Sequence, residues 1–170
     1  MMERVVLVDE KDNPLGTMEK MEAHEKGVLH RAFSVFIFNN KGEMLLQQRA
    51  FSKYHSGGLW TNTCCSHPRD GETTLEAAHR RLQEEMGFDC EIEKAFDFIY
   101  KKNLDKGLIE HEFDHVFIGE FEGEVCFNKE EVNAYIYRPV QAVVDEVNQT
   151  PEKYTEWFKI CLDEVVKRIL

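Results

Sequence analysis

The sequence predicts an α+β fold, an α/β/α sandwich in which helices flank a mixed β-sheet. Two observations lead to it: strand-like segments dominate the first third of the chain, and helical periodicity appears twice further on. A chain of 170 residues that is 42% hydrophobic is long enough for one well-packed core and short for two. We therefore predict a single domain over residues 1–170.

The strands are predicted from short apolar runs bounded by turn residues. Residues 4–9 form the first run, and residues 33–38 are expected to pair with residues 45–49 as a hairpin. Further strands are expected at residues 93–101, 112–121 and 134–137.

Residues 74–86 carry apolar side chains at intervals of three and four, which predicts a helix. Thr73 and Glu76 form a possible capping box before it, and Gly87 ends it.

A second helix is predicted at the end of the chain. Thr150 is the expected N-cap, Pro151 stands at the first helical position, and an apolar stripe runs from Tyr154 to Ile169.

Composition limits the partners and the compartment. A net charge of -11 and a pI of about 5.1 argue against non-specific binding to nucleic acid or anionic membranes. A small phosphorylated ligand needs only a local cluster of basic residues. No apolar run reaches the roughly 20 residues that span a bilayer, and the acidic start lacks the features of a signal peptide. We expect a cytoplasmic protein.

The five cysteines are an odd number in a chain without secretory features, so we expect reduced thiols. Cys90, Cys126 and Cys161 are interpreted as packing residues. Cys64 and Cys65 differ, because they stand next to each other in the turn-rich segment NTCCSHPRDGE with a histidine two residues later. Packing is the favoured interpretation of Cys64.

The segment before and within the first helix resembles a Nudix box. Its pattern is matched at Glu72, Arg80, Leu82, Glu84, Glu85 and Gly87. Ser66 stands in place of the first glycine and Arg81 in place of a glutamate. In Nudix hydrolases that run of glutamates holds the metals, so an arginine there argues against hydrolysis. Without the resemblance, these charges are interpreted as a solvated helix surface with i,i+4 pairs.

Nearly the whole chain resembles the type I isopentenyl-diphosphate isomerases. The matching segments are GTMEKMEAHEKGVLHRAFSVFIFN, LLQQRAFSK, GLWTNTCCSHP and GLIEHEFDHVF, in that order. The resemblance implies a Nudix-like mixed sheet flanked by helices and conversion of isopentenyl diphosphate to dimethylallyl diphosphate. Two alternatives are kept: a Nudix hydrolase of a nucleoside or sugar diphosphate, and a non-catalytic ligand-binding domain.

The resemblance also implies a divalent metal site. Its expected ligands are His24, His30, His67, Glu110 and Glu112. Imidazoles suit zinc or manganese, and two carboxylates two residues apart on a strand point the same way. His55, His79, His111 and His115 are interpreted as ordinary polar surface residues.

The implied reaction protonates an unactivated alkene and removes a proton from the neighbouring methylene, which demands an acid and a base on its two faces and no water. The family positions are Cys65 on one face and Glu112 on the other, with Tyr100 as the partner hydroxyl. Trp157 is expected to stabilise the developing cation through its aromatic face, and its alternative interpretation is a core residue.

The diphosphate needs local positive charge and a hard cation. The family positions are Lys20, Arg49, Lys53 and Arg81. A magnesium ion is expected to bridge the diphosphate to Glu85. The expected cofactors are thus one tightly bound zinc, manganese or magnesium ion and a second magnesium that arrives with the substrate. A monomer is the family expectation.

Overall fold

The computed structural model describes residues 3–169 and confirms the α+β class. The predicted domain 1–170 includes residues 1, 2 and 170, which lie outside that range. The strands are β1 (Arg4–Val8), β2 (Pro14–Glu19), β3 (His30–Phe38), β4 (Glu43–Arg49), β5 (Trp60–Thr61), β6 (Cys64–Ser66), β7 (Ile92–Asn103), β8 (Ile109–Glu120) and β9 (Val132–Pro139). The helices are α1 (Lys20–Lys26), α2 (Thr74–Arg81), α3 (Val140–Gln149) and α4 (Glu156–Ile169).

Strand β3 is the centre of the mixed sheet. It pairs in parallel with β8 from His30 opposite Glu112 to Phe38 opposite Glu120. Its other edge pairs antiparallel with β6, where Ser34 lies opposite Cys65. Because β6 occupies that edge, β3 and β4 pair only at their shared turn, and β4 pairs along its length with β9. The predicted hairpin is therefore formed at its turn and opens beyond it.

The two faces of β3 are buried in different cores because successive strand side chains point to opposite faces. Val35 and Ile37 pack in the core that includes Leu82 and Met86. Phe36 and Phe38 belong to the second core, which is completed by α3 and by α4 residues such as Phe158 and Leu162. Helices thus cover both faces of the sheet, as the sandwich prediction requires.

The first predicted helix is confirmed, with a local widening. Thr73 Oγ1 accepts a hydrogen bond from the Glu76 amide at 3.1 Å. After α2 the helix continues through Leu82–Met86 as a π-helical turn. Gly87 ends it with φ of 73°, and a Cβ there would lie 2.2 Å from the carbonyl oxygen of Cys126, so only glycine fits.

The predicted start of the last helix is wrong. Thr150 ends α3, a helix that the periodicity did not predict, and donates its hydroxyl to the carbonyl of Glu146 rather than capping α4. Residues Pro151–Lys153 form a 3₁₀ turn, and α4 begins only at Glu156. The short helix α1 was also missed.

The cysteines are free thiols, as expected. Cys64 and Cys161 are buried, and Cys90 is half-buried. Cys126 is exposed, so its interpretation as a packing residue is wrong. Within residues 3–169, no helix combines the length and the apolar character needed to cross a membrane.

Candidate active site

The predicted site residues converge on one cavity. Those that line it are Lys20, Arg49, Lys53, Cys65, His67, Arg81, Glu110, Glu112 and Trp157. The others adjoin it: His24 and His30 contact the two glutamates, Tyr100 donates to them, and Glu85 pairs with Arg81.

The parallel pairing of β3 and β8 builds half of the His/Glu cluster. It sets His30 beside Glu112, with His30 Nε2 at 3.1 Å from Glu112 Oε2. Glu110 and Glu112 are two residues apart on β8 and therefore share a face. Both carboxylates are buried.

The remaining histidines reach the cluster from other elements. His67 follows β6 directly, and its Nε2 is 2.9 Å from Glu112 Oε2. His24 lies on α1, one turn after Lys20, and its Nε2 is 3.7 Å from Glu110 Oε2. His24, His30, His67 and Glu112 can offer ligand atoms that lie within 4.8 Å of one another.

His24 and His30 are oriented by hydrogen bonds at Nδ1, which leave Nε2 facing the carboxylates. His24 Nδ1 is 2.7 Å from the carbonyl of Lys20, and His30 Nδ1 is 2.9 Å from the carbonyl of Val28. A carbonyl only accepts, so each Nδ1 carries the proton and a neutral ring turns its Nε2 lone pair toward a carboxylate. Among the described residues the buried His24 Nε2 has no hydrogen-bond partner. A divalent cation between nitrogen and oxygen satisfies this arrangement.

The cluster keeps its carboxylates ionised. Burial opposes ionisation of Glu112, but the His30 and His67 imidazoles that contact its carboxylate outweigh burial and hold the pKa of Glu112 well below the usual range. Burial and the charge of Glu112 raise the pKa of Glu110, yet His24 and His55 bring the net shift downward. Burial lowers the pKa of His67 to about 4. Neutral imidazole and charged carboxylate are the protonation states that bind metal.

Tyr100 lies opposite Glu112 on the neighbouring strand β7. Its hydroxyl donates to Glu112 Oε1 at 2.8 Å and also contacts Glu110 Oε1 closely. Burial and the two carboxylates raise its pKa well above 10.0, so the side chain is a neutral hydroxyl at the edge of the cluster.

Cys65 approaches the cavity from the other side of β3. Strands β6 and β8 pair with opposite edges of β3, so Cys65 and Glu112 flank that strand. Burial raises the pKa of the Cys65 thiol, which therefore keeps its proton at neutral pH.

Buried hydrogen bonds fix the segment that carries Cys65. The Asn62 amide donates to the carbonyls of Val35, at 3.1 Å, and Cys64, at 2.8 Å. Asn62 Oδ1 accepts from Trp157 Nε1 at 3.3 Å, which ties α4 to the same segment. Trp157 is only 3% exposed and yet lines the cavity, with the Arg49 guanidinium 5.2 Å from its ring centre. It is thus both a core residue and a cavity wall.

The basic residues lie together, each close to an acidic side chain. Lys53 is 2.6 Å from Glu131, and Arg81 is 3.4 Å from the same carboxylate and 2.9 Å from Glu85. Lys20 pairs with Glu3. Each of these three cations therefore has a carboxylate partner at the cavity.

Glu85 is buried, and each of its carboxylate oxygens contacts a buried side chain. Gln47 donates to Oε1 at 3.1 Å, and the Cys64 thiol lies 3.5 Å from Oε2. Cys64 is packed in the core, as interpreted, but its thiol also contacts a predicted magnesium ligand.

Sequence reasoning missed His55 at this site. It is 1% exposed and its Nε2 lies 3.2 Å from Glu110 Oε2, so its interpretation as a surface residue is wrong. His115 is also buried, at 6% exposure, although it pairs with Asp12 away from the cluster. The only sequence signal for His55 was its position between Lys53 and the TNTCC segment.

We expect Arg81→Gln to raise KM for a diphosphate substrate about 10- to 100-fold, because a hydrogen bond to a charged group contributes about 1.5–3 kcal/mol. Steady-state kinetics measures this. Arg80→Gln is the matched control. Arg80 is the neighbouring residue on the same helix, and it pairs with Glu72 and Glu84. Equal KM values for the two variants would make Arg81 an ordinary helix charge.

The buried carboxyl group of Asp114 is expected to make the free energy of unfolding depend on pH. It is 1% exposed, and burial and the charge of Glu112 raise its pKa well above 3.8. A raised carboxyl pKa stabilises the fold fully below about pH 4, and this contribution is lost as the pH rises toward the folded-state pKa. We therefore expect the unfolding free energy of metal-free Asp114→Asn, relative to that of wild type, to increase by more than about 1 kcal/mol as the pH rises from about 4 to about 8. Urea unfolding tests this, with the exposed-strand variant Asp97→Asn as control; a pH-independent difference would contradict it.

The chain resembles known proteins over most of its length. The NUDIX domain family model matches residues 28–158. Isopentenyl-diphosphate Delta-isomerase 2 of Photorhabdus laumondii is 55% identical over 159 residues, covering 94% of this chain and 90% of the relative. The chain belongs to this isomerase family. The Pectobacterium atrosepticum isomerase is 54% identical over 156 residues, covering 92% of this chain and 87% of that isomerase.

Solved structures show that this isomerase family member has the Nudix fold. A Deinococcus radiodurans protein superposes with a TM-score of 0.79 at 17% identity, covering 95% of this chain and 98% of that one. The NUDIX domain of Shewanella oneidensis NrtR, solved with ADP ribose, gives 0.64 at 15% identity, with coverage of 90% and 100%. At these identities the likeness concerns the fold alone.

Proposed function

We propose that this isomerase interconverts isopentenyl diphosphate and dimethylallyl diphosphate by exchanging protons at the two faces of the alkene. The observation that carries the proposal is that Cys65 and Glu112 line one cavity from opposite sides of β3. The reaction belongs to isoprenoid biosynthesis. Hydrolysis is the disfavoured alternative, because Arg81 pairs with Glu84 and Glu85 where a hydrolase would bind its metals.

The reaction adds one proton to the substrate and removes another. One proton adds to the terminal methylene carbon of the alkene, the double bond moves by one carbon, and one proton leaves the saturated methylene carbon on the other side of the central carbon. A thiol at Cys65 and a carboxylate at Glu112 can each exchange one of these protons. Tyr100, hydrogen-bonded to Glu112, can hold that carboxylate in position and support its proton exchange.

The cavity walls suit a carbocationic transition state. The Trp157 ring offers an aromatic face, worth roughly 1–2 kcal/mol to a desolvated cation. The Trp157 ring is itself buried, which limits its contact with water.

The entrance suits the diphosphate. Lys20, Lys53 and Arg81 supply positive charge there, and Arg49 lies deeper against Trp157. Glu85 is proposed to hold a magnesium ion that arrives with the diphosphate. On binding, the substrate would displace Glu131 from Lys53 and Arg81.

The metal centre is proposed to comprise His24, His30, His67, Glu110 and Glu112. Zinc, manganese or magnesium bound there would neutralise the paired carboxylates and fix the acidity of Glu112. We further propose a cytoplasmic monomer that acts on this small molecule rather than on nucleic acid or membranes.

Product analysis tests the proposal. The protein is incubated with isopentenyl diphosphate, magnesium and either zinc or manganese, the products are followed by proton NMR, and free phosphate is assayed in parallel. Dimethylallyl diphosphate without phosphate release is the expected result. Phosphate release without isomer would move the chain to the hydrolases, and binding without turnover under any metal would support a ligand-binding domain.

A further inference from the structure

His55 is buried beside the metal centre although the five proposed ligands do not include it. It lies between β4 and β5 and is 1% exposed. Its ring centre is 5.5 Å from that of His24 and 5.8 Å from that of Trp157. It therefore lies between the His/Glu cluster and the aromatic wall of the cavity.

The Nε2 atom of His55 has no hydrogen-bond partner among the described residues. Nε2 lies 3.2 Å from Glu110 Oε2, yet among the described residues it makes no hydrogen bond. His24 Nε2 has the same property, at 3.7 Å from the same oxygen. A buried polar atom without a partner destabilises the fold, so two of them at one carboxylate oxygen indicate a missing group. His24, His55 and Glu110 can offer ligand atoms within 4.8 Å of one another.

The rest of the His55 side chain and its backbone are fixed. Nδ1 is 3.0 Å from Ser56 Oγ, which can accept its proton and leave the lone pair on Nε2. Arg49 donates to the His55 carbonyl at 3.1 Å, and the Ser56 amide donates to Asp105 at 2.9 Å. A ring anchored at one nitrogen and free at the other is the usual arrangement of a metal-binding histidine.

We propose that His55 is a fourth histidine ligand of the metal centre, binding through Nε2 beside His24 and Glu110. The inference rests on the proposed metal centre. It assigns the centre a nitrogen-rich ligand set, which favours zinc or another borderline transition metal over magnesium.

Zinc is the probe for the test. Chelator-treated wild type, His55→Gln and the control His79→Gln are reconstituted with zinc, and the zinc dissociation constants are measured by competition with a chromophoric chelator. His79 is a half-buried histidine paired with Asp89 outside the cluster. We expect His55→Gln to weaken zinc binding about tenfold or more, since even outer hydrogen-bond partners contribute about 10- to 100-fold. His79→Gln should match wild type.

X-ray absorption at the zinc edge separates coordination from indirect support. One imidazole fewer in His55→Gln than in wild type supports the proposal. An unchanged imidazole number overturns it, whether or not affinity falls, because His55 would then act only through Glu110.

Wild-type protein labelled with nitrogen-15 at its histidines gives an answer even if the variant fails to fold. Zinc should shift the Nε2 resonances of His24, His30, His55 and His67, and a shift of only three overturns the proposal. If wild type binds no zinc, manganese or magnesium at all, the proposed metal centre itself fails, which is a different result.

Discussion

We expect Cys65→Ala to lower kcat for isomerisation about 10²- to 10⁴-fold, the range that a positioned acid or base contributes. The fold should survive, because Cys65 is half-buried on the short strand β6, whereas Cys64 beside it is packed in the core. KM should change little, since the thiol is proposed to act on the alkene rather than to bind the diphosphate. Steady-state kinetics with a folding check by circular dichroism measures both quantities.

Cys126→Ser is the matched control for loss of a thiol, because Cys126 is exposed and lies outside the cavity lining. Its kcat should equal that of wild type. If Cys65→Ala retained more than about a tenth of the wild-type kcat, Cys65 would be excluded as one of the two proton-exchanging groups.

Glu112→Gln has the larger expected effect because the side chain has two tasks. It is a proposed proton-exchanging group, worth about 10²–10⁴ in kcat. It also contacts both His30, at 3.1 Å, and His67, at 2.9 Å, and is a proposed metal ligand. An amide keeps the shape but loses the charge, so we expect near-complete loss of turnover together with weaker metal binding. Kinetics and elemental analysis of the purified protein report the two losses separately.

Glu120→Gln, at the exposed end of the same strand, is the control and should leave activity and metal content unchanged. A Glu112→Gln protein that turned over at near the wild-type rate would refute both tasks. If the variant kept its metal but lost turnover, Glu112 would be needed for proton exchange but not for metal binding.

The fold was predictable where local signals agreed with the tertiary structure. The α2 helix has a capping threonine, an apolar stripe and a terminal glycine, and all three appear in the structure. The start of α4 was not predictable in this way. Thr150 and Pro151 resemble a helix start in sequence, but the chain there pairs with Trp60 and turns before the helix begins. A long-range contact decided the boundary.

The site was predictable mainly through resemblance, because its residues are far apart in sequence. His30 and Glu112 meet only because β3 and β8 pair in one register, and no local spacing encodes that register. His55 was missed for the same reason: it lies in a turn-rich segment, and its burial against Glu110 depends on elements more than fifty residues away. The resemblance singled out Glu110 and Glu112, and their spacing of two residues then placed both side chains on one face of an extended strand.

The central claim is that two different groups each exchange one proton with the substrate. The most direct test is conversion of isopentenyl diphosphate in deuterated water, with the deuterium in early product located by NMR. We expect the proposed proton donor to exchange with solvent before substrate binds, so dimethylallyl diphosphate should carry one deuterium in the methyl group formed from the terminal methylene. Early product without deuterium would mean that one group carries the same proton between the two carbons, and would contradict the two-sided site.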